Sequence, residues 1–201
     1  MPSSDPDDPM KLSTIGGRDE VLKPLTDAKS ILMTFDGSVY PKNPGEVSCS
    51  GFCIFGDPKK TGDKEELLAR GAHWIRVPNA TQNFGEYCGV AFGLQFLLDK
   101  GWASGHGKHN LLIQGDSQLV VNQVAQLWKI KNERLRGLAR IIWKRLDDLL
   151  LVPHDAPDTL VNDTTVPHGV WQMNWVRRRF NEEADEMTHE AWSLYQQEKP
   201  S

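Results

Sequence analysis

"LLIQGDSQLVVNQV", Leu111 to Val124, is the stretch on which the reading of this chain turns. An apolar, strand-like run ends at Gly115, a bare carboxylate follows at Asp116, and Ser117 opens a pattern with helical spacing. A carboxylate so placed either caps the helix after it or holds a metal ion. The surrounding sequence has to decide.

Upstream of this stretch, "NFGEYCGVAFGLQFLLDKG" spaces Tyr87, Val90, Ala91, Leu94, Leu97 and Leu98 as an amphipathic helix that closes at Gly101. Before it come three strand-like runs: "SILMTFDGS" from Ser30, "EVSCSGFCIF" from Glu46 after the turn "PKNPGE", and "ARGAHWIRVP" after the loop "DPKKTGDKEE". Three antiparallel strands in a meander are expected. Downstream, "SQLVVNQVAQLW" and "NERLRGLARIIWKRLDDLL" read as helices, "GVWQMNWV" as a strand, and "NEEADEMTHEAWSLYQQ" as a final helix. The order βββαβααβα predicts an α/β fold with a mixed five-stranded sheet and helices on its faces. Pro153 to Gly169 reads as a long loop.

Residues 1–28, opening with "MPSSDPDDPM", are rich in Pro, Ser, Asp and Gly and lack periodicity, so they read as a flexible acidic tail before a domain spanning 29–198. That opening is the reverse of a secretion signal, and no apolar run approaches the ~20 residues needed to cross a bilayer. An intracellular protein without membrane association is expected; the sequence does not separate cytoplasm from nucleus and points to no protein partner. At 201 residues the chain suits one domain. Cys49 and Cys53 share one strand, where four residues at roughly 3.3 Å each leave them about 13 Å apart, too far for a disulfide, and with Cys88 they form no zinc-binding pair. A net charge of −4 argues against a chain coated in basic charge, so contact with nucleic acid would need a local patch.

Asp116 has company. Asp36 ends the first strand of the meander, Glu86 begins the first helix, and Asp185 lies in the first turn of the last. If the strands bearing Asp36 and Asp116 are parallel neighbours, both carboxylates emerge at the carboxyl ends where open α/β sheets bind ligands. Converged carboxylates repel one another unless cations neutralise them, and hard oxygen donors suit Mg²⁺ or Mn²⁺. Each residue also has a plain structural reading: Asn83 and Glu86 fit a capping box, Asp36-Gly37 is an ordinary turn dipeptide, Asp116 could be a helix cap, and Asp185 a solvated helix residue.

Four segments in register tip this balance. "TFDGSVYPKNPG", "TQNFGEY", "GDSQLVVNQ" and "NEEADEMT" resemble the successive motifs of the type 1 ribonuclease H family, across Ser30 to Tyr195. The resemblance implies the ribonuclease H-like fold, with Asp36, Glu86, Asp116 and Asp185 as the catalytic and metal-binding set. It further implies two Mg²⁺ ions, with Mn²⁺ as a possible substitute, flanking the scissile phosphate of an RNA–DNA hybrid: one activates the attacking water and the other stabilises the leaving 3′ oxygen. The expected activity is hydrolysis of the RNA strand of the hybrid. The alternative is a nucleic-acid-binding module of the same fold, derived from a reverse-transcribing element, with weak or no cleavage.

For the hybrid, the resemblance implies contacts from the backbone of Gly37 to Gly45, including Gly37, Ser38 and Asn43, toward the RNA strand, whose 2′-OH distinguishes it from DNA. Gln82 and Asn83 resemble the family's pair of amides at the minor groove, where the first is usually Asn, and Ser117 follows the metal-binding Asp116. In "LWKIKNERLRGLARIIWKR", Lys129, Lys131, Arg134, Arg136, Arg140, Lys144 and Arg145 stand against a lone Glu133. Trp128, Lys129 and Lys131 suit contact with sugar and phosphate, while Leu135, Leu138, Ile142 and Trp143 give the rest of the helix a core face. Arg178 in "RRRF" matches a recurrent family arginine. At Trp175 the chain departs from the family, which often carries a His there; His154, His168 and His189 are the nearby imidazoles that could replace it.

Overall fold

The computed structural model describes residues 14–25, 28–56, 66–102, 109–153 and 169–198. The meander forms as the alternation of large apolar side chains dictates. β2 (Ser30–Tyr40), β3 (Gly45–Gly56) and β4 (Glu66–Ala80) pair antiparallel in sequence order. α1 (Gln82–Asp99) then returns the chain so that β5 (Asn110–Gly115) lies parallel to β2, with Thr34 opposite Gln114. Asp36 and Asp116 therefore lie together just past Thr34 and Gln114, the last pair of the parallel ladder; β2 itself runs on beside β3 to Tyr40, so, contrary to expectation, Asp36 does not end its strand.

After β5 come a short helix, α2 (Gln118–Val124), and a longer one, α3 (Glu133–Asp148), each opened by a side-chain cap, Ser117 on Val120 N and Asn132 on Leu135 N. Then follow β6 (Leu151–Pro153), β7 (Gly169–Trp175), one 3-10 turn (Arg178–Phe180) and α4 (Glu182–Glu198). β7 is parallel to both β5 and β6. The sheet runs β1-β4-β3-β2-β5-β7-β6, seven strands against the five expected.

Both added strands lie at the sheet edges. β6 is three residues long, too short to show a period. β1 (Thr14–Val21) falls inside the segment read as a flexible tail, and its polar "GGRDE" pattern carries no apolar face. The antiparallel ladder to β4 holds it, and ion pairs add to this: Arg18 reaches Glu190 at 2.6 Å, Arg70 reaches Glu20 at 2.6 Å, and His73 Nε2 lies 2.8 Å from Asp19. The assignment of residues 1–28 to a tail is thus corrected for 14–21. The "DPKKTGDKEE" loop, apart from its last residue Glu66, and most of Pro153–Gly169, His154 and His168 included, lie outside the described residues.

Strand alternation sorts the core into two layers. Met33, Phe35, Phe52, Ile54 and Ile75 pack with α1 and α3, while Leu32, Cys49, Cys53, Phe55 and Trp74 pack with Met187, Ala191 and Tyr195 of α4. α1 is not the amphipathic helix expected. It is buried from Phe84 through Ala91 without a break, because the sheet covers one side and α3 the other. Its cap also differs: Thr81 accepts from Phe84 N at 3.3 Å, so Asn83 and Glu86 form no capping box. No helix among the described residues is long and apolar enough to cross a membrane.

Candidate functional site

Glycine lets α1 approach β2. A Cβ on Gly37 would overlap the backbone N of Glu86, and one on Gly89 would stand 2.8 Å from Asp36 O. Only bare backbone at these positions allows the first turns of α1 to lie against the part of β2 that carries Asp36. Glu86, freed from capping, is thereby buried at the site with its side chain facing Gln82, whose Nε2 donates to Oε1 at 3.3 Å. Its other oxygen, Oε2, is buried and meets no donor at hydrogen-bond geometry. Burial pushes the Glu86 pKa up, the Ser117 hydroxyl and Gln82 pull it down, and the Asp116 charge pushes it up again.

Asp36 is the most perturbed of the four. Burial raises its pKa from 3.8 to about 8, with the charges of Asp116 and Asp185 adding to the rise and the backbone N–H of Gly37, 2.7 Å from Oδ1, opposing it. Asp116 Oδ1 accepts from Asn181 Nδ2 at 3.1 Å. Asp185 Oδ1 accepts from the Arg178 guanidinium at 2.8 Å, and the Arg178 pKa is raised chiefly by Asp185, with Asp36 and Asp116 contributing. Four carboxylates from β2, α1, the β5 end and α4 thus share one electrostatic site.

Sequence reasoning missed Asn181. Its side chain is buried, and Nδ2 donates both to Phe35 O at 2.9 Å and to the Asp116 carboxylate, while its backbone carbonyl accepts from Asp185 N at 3.1 Å. The side-chain amide therefore ties the strand before Asp36 to the carboxylate of Asp116, and the backbone of the same residue starts the helix that carries Asp185. The available signal was its place four residues before Asp185, which reads equally well as a helix start.

Other expected residues are distributed around this centre. Gly37 and Ser38 follow Asp36 in β2, and Asn43 Oδ1 accepts from Gln82 N at 3.4 Å, which draws the loop after β2 onto the exposed start of α1 where Gln82 and Asn83 lie. Ser117 caps α2 through Val120 N at 3.4 Å. Trp128 (49% exposed), Lys129 and Lys131 stand in the segment between α2 and α3. The remaining basic residues divide: Arg134 donates to Pro78 O, Arg136 to Glu133 and Ile130 O, Lys144 to Asp148 and Arg145 to Ala91 O, which commits them to internal contacts. His189 lies one turn beyond Asp185, its Nε2 3.6 Å from Oδ2 and its Nδ1 3.2 Å from the Tyr40 hydroxyl.

Every donor in the four-carboxylate set is a hard oxygen, and Glu86 Oε2 is a buried acceptor without a partner, so the chemistry of the set fits a divalent cation. Among the described residues no group of three or more His, Cys, Asp or Glu side chains is arranged to hold a metal ion as it stands. All four carboxylates are turned instead to protein donors, Asp36 to Gly37 N, Asp116 to Asn181, Asp185 to Arg178 and one oxygen of Glu86 to Gln82.

The mixed sheet of this order, with helices on both faces, has the ribonuclease H-like fold. Comparison with known proteins agrees: a family model described as reverse transcriptase-like matches residues 63–150. Among solved structures, the chain is similar to RNase H1 from the halophilic archaeon Halobacterium salinarum NRC-1, at 24% identity and a TM-score of 0.58, covering 82% of this chain and 98% of that one. The N-terminal RNase H domain of a Mycobacterium tuberculosis protein, solved as a fusion with maltose-binding protein, matches at 22% identity and 0.60, covering 86% and 100%. LC11-RNase H1, in complex with an RNA/DNA hybrid, matches at 21% and 0.56, covering 82% and 97%.

Proposed function

We propose that this chain is a divalent-metal-dependent endonuclease that hydrolyses the RNA strand of RNA–DNA hybrids. The observation that carries the reading is the convergence of Asp36, Glu86, Asp116 and Asp185 at one sheet end, with Asp36 pushed to about 8 by its surroundings. A fold gains no stability from such a cluster, since burial and mutual repulsion both oppose it. A cationic ligand supplies the missing compensation.

In this reading Asp36 and Asp116, on adjacent parallel strands, form the rigid floor of the site, while Glu86 and Asp185 close it from α1 and α4. The four carboxylates would hold a pair of Mg²⁺ ions, which when bound would supply an activated water and charge compensation at the leaving 3′ oxygen. Asn181 keeps the Asp116 carboxylate fixed against β2. Gln82, Asn83 and the backbone from Gly37 to Asn43 line one flank, where they would read the minor groove and the 2′-OH of the RNA strand. Trp128, Lys129 and Lys131 would hold phosphates further out. The LC11 complex, formed with an RNA/DNA hybrid on a similar fold, supports this substrate class.

One observation favours a second reading, that of a nucleic-acid-binding module with weak or no cleavage: Arg178 already pairs with Asp185 at 2.8 Å and competes with a cation for it. The deciding experiment incubates the protein with labelled hybrid, duplex DNA and duplex RNA, with Mg²⁺ and with EDTA, beside an Asp116→Asn control. Metal-dependent cleavage of the RNA strand in hybrid alone, absent in the control, is expected. Hybrid binding without cleavage would select the second reading, and full activity in Asp116→Asn would refute the assignment of the carboxylates.

A further inference from the structure

Trp175 ends β7 beside Gly115, the last residue of β5, and its indole N–H donates to the backbone carbonyl of Asp116 at 3.0 Å. The residue is nevertheless 44% exposed. A large aromatic group left open to water and at the same time pinned to the backbone of a site residue has a fixed orientation, which a loosely held surface side chain does not. Directly after it, Arg177, Arg178 and Arg179 are all exposed, in a chain whose net charge is −4. Arg178 reaches Asp185, and Arg179 lies over the exposed ring of Phe180 at 4.8 Å. The β7 side of the carboxylates is therefore a basic and aromatic rim, opposite in the sheet to the side where Gln82 and Asn83 stand.

We propose that Trp175 is a sugar-packing platform for the hybrid: its open ring face lies against a sugar of the strand whose phosphate sits over the carboxylates, with Arg177 and Arg179 beside the neighbouring phosphates. The inference rests on the nuclease reading above. In a duplex the bases are already stacked on each other, so an aromatic ring approaching from outside meets the apolar edge of a sugar, and flanking guanidinium groups meet phosphate oxygens. The indole N–H is occupied by Asp116 O, which leaves the ring face as the part of Trp175 free to contact a ligand. This rim is separate from Trp128 and the two lysines, which lie between α2 and α3.

The test measures binding of an RNA–DNA hybrid in EDTA, where no cleavage intervenes, by the full chain and two variants. Trp175→Ala removes the ring and is expected to weaken binding about ten-fold, within the range seen when an aromatic contact to nucleic acid is truncated. Trp175→Phe keeps a ring face and loses only the N–H, so its affinity should stay within about three-fold of the unaltered protein. A second readout is independent of both affinities: the Trp175 indole N–H resonance, assigned by its absence in Trp175→Phe, should shift as hybrid is added while those of the buried Trp74 and Trp102 stay in place. Equal weakening by both variants would assign Trp175 to supporting Asp116 and overturn the platform, as would unchanged affinity of a folded Trp175→Ala. If Trp175→Ala does not fold, an unmoved Trp175 resonance overturns the proposal and a shifted one supports it. Failure of the unaltered protein to bind hybrid at all would overturn the nuclease reading and this inference with it, whereas binding with a silent Trp175 removes the inference alone.

Discussion

Replacing Asp36 with Asn should stabilise the metal-free protein, and the gain should depend on pH in a stated direction. In the folded state burial holds the Asp36 carboxyl at about 8, against 3.8 when it is free. The folded protein thus binds this proton more tightly than the unfolded chain does, and between those two values unfolding releases it. Stability without metal must then fall as pH rises from about 4 to about 8, and level off above. At 1.36 kcal/mol per unit, a rise of about four units sets an upper limit of ~5 kcal/mol. The penalty is shared with Asp116 and Asp185, whose charges contribute to the rise and which relax when one member is neutralised. A net gain of about 2–3 kcal/mol for Asp36→Asn at pH 8 is expected, shrinking toward zero near pH 4. For a domain of this size that corresponds to a rise in Tm of about 5–10 °C.

Urea unfolding of the two proteins in EDTA, at several pH values from 4 to 9, measures this directly. The difference between them cancels the other titrating groups to first order. Mg²⁺ should then reverse the order by stabilising the unaltered protein at pH 8 more than Asp36→Asn, because the variant lacks a ligand. A flat stability profile for the unaltered protein between pH 5 and 8, or a destabilised Asp36→Asn, would refute the argument that the cluster is strained without a cation.

Glu86→Gln and Asp116→Asn should each abolish cleavage of hybrid while leaving its binding within a few-fold, as ligands to the ions serve chemistry more than docking; gel-resolved cleavage and anisotropy titrations check the two halves. Trp128→Ala combined with Lys131→Ala should weaken hybrid binding and lower the slope of log K against log salt by up to about one unit for the lost phosphate contact, and an unchanged slope would remove these residues from the phosphates. Asn181→Ala should cost about 1–3 kcal/mol in thermal or urea unfolding by leaving Phe35 O unpaired, and should weaken Mg²⁺ binding measured by calorimetry; native metal affinity would show that Asp116 needs no such support. Gly37→Ala should destabilise by ~3 kcal/mol, since the new methyl overlaps the Glu86 backbone, and native stability would refute the close approach of α1.

Periodicity and punctuation made most of the fold legible. The strands starting at Ser30, near Glu46 and at Asn110 appear where alternation and turn residues put them, and the meander pairs as expected. What stayed hidden depends on contacts that no local window carries. β1 has no apolar face and is held by its ladder to β4 and by ion pairs to residues 50 or more positions away, so its segment looked like a tail. α1 looked amphipathic because its glycines and Cys88 counted as neutral, yet those small residues are what let the sheet and the helix meet. The four acidic residues each read equally well as caps or turn residues, and only the resemblance of the four segments that carry them singled them out together; the parallel register of β2 and β5 sets Asp36 beside Asp116.

That register explains why the site needs more than four acidic side chains. Leu32 faces α4 while Met33 and Phe35 face α1, so by alternation Asp36 emerges on the α4 side, toward Asp185, and Glu86 arrives from the helix on the other face. The two can share one electrostatic site, through Asp116, only beyond the point where β2 and β5 stop pairing, and only if both faces close over that point at short range. On one face Gly37 and Gly89 supply the closeness, by removing the side chains that would hold α1 away. On the other Asn181 supplies it, by joining Phe35 O and the Asp116 carboxylate through its side-chain amide while its backbone carbonyl accepts from Asp185 N. Apolar packing below the site must then offset the repulsion above it, which is why the strand carrying Asp36 is buried continuously from Ile31 to Gly37. A cluster that repels itself can be held open for a cation only by a scaffold rigid enough not to relax, and the residues that make it rigid carry no charge at all.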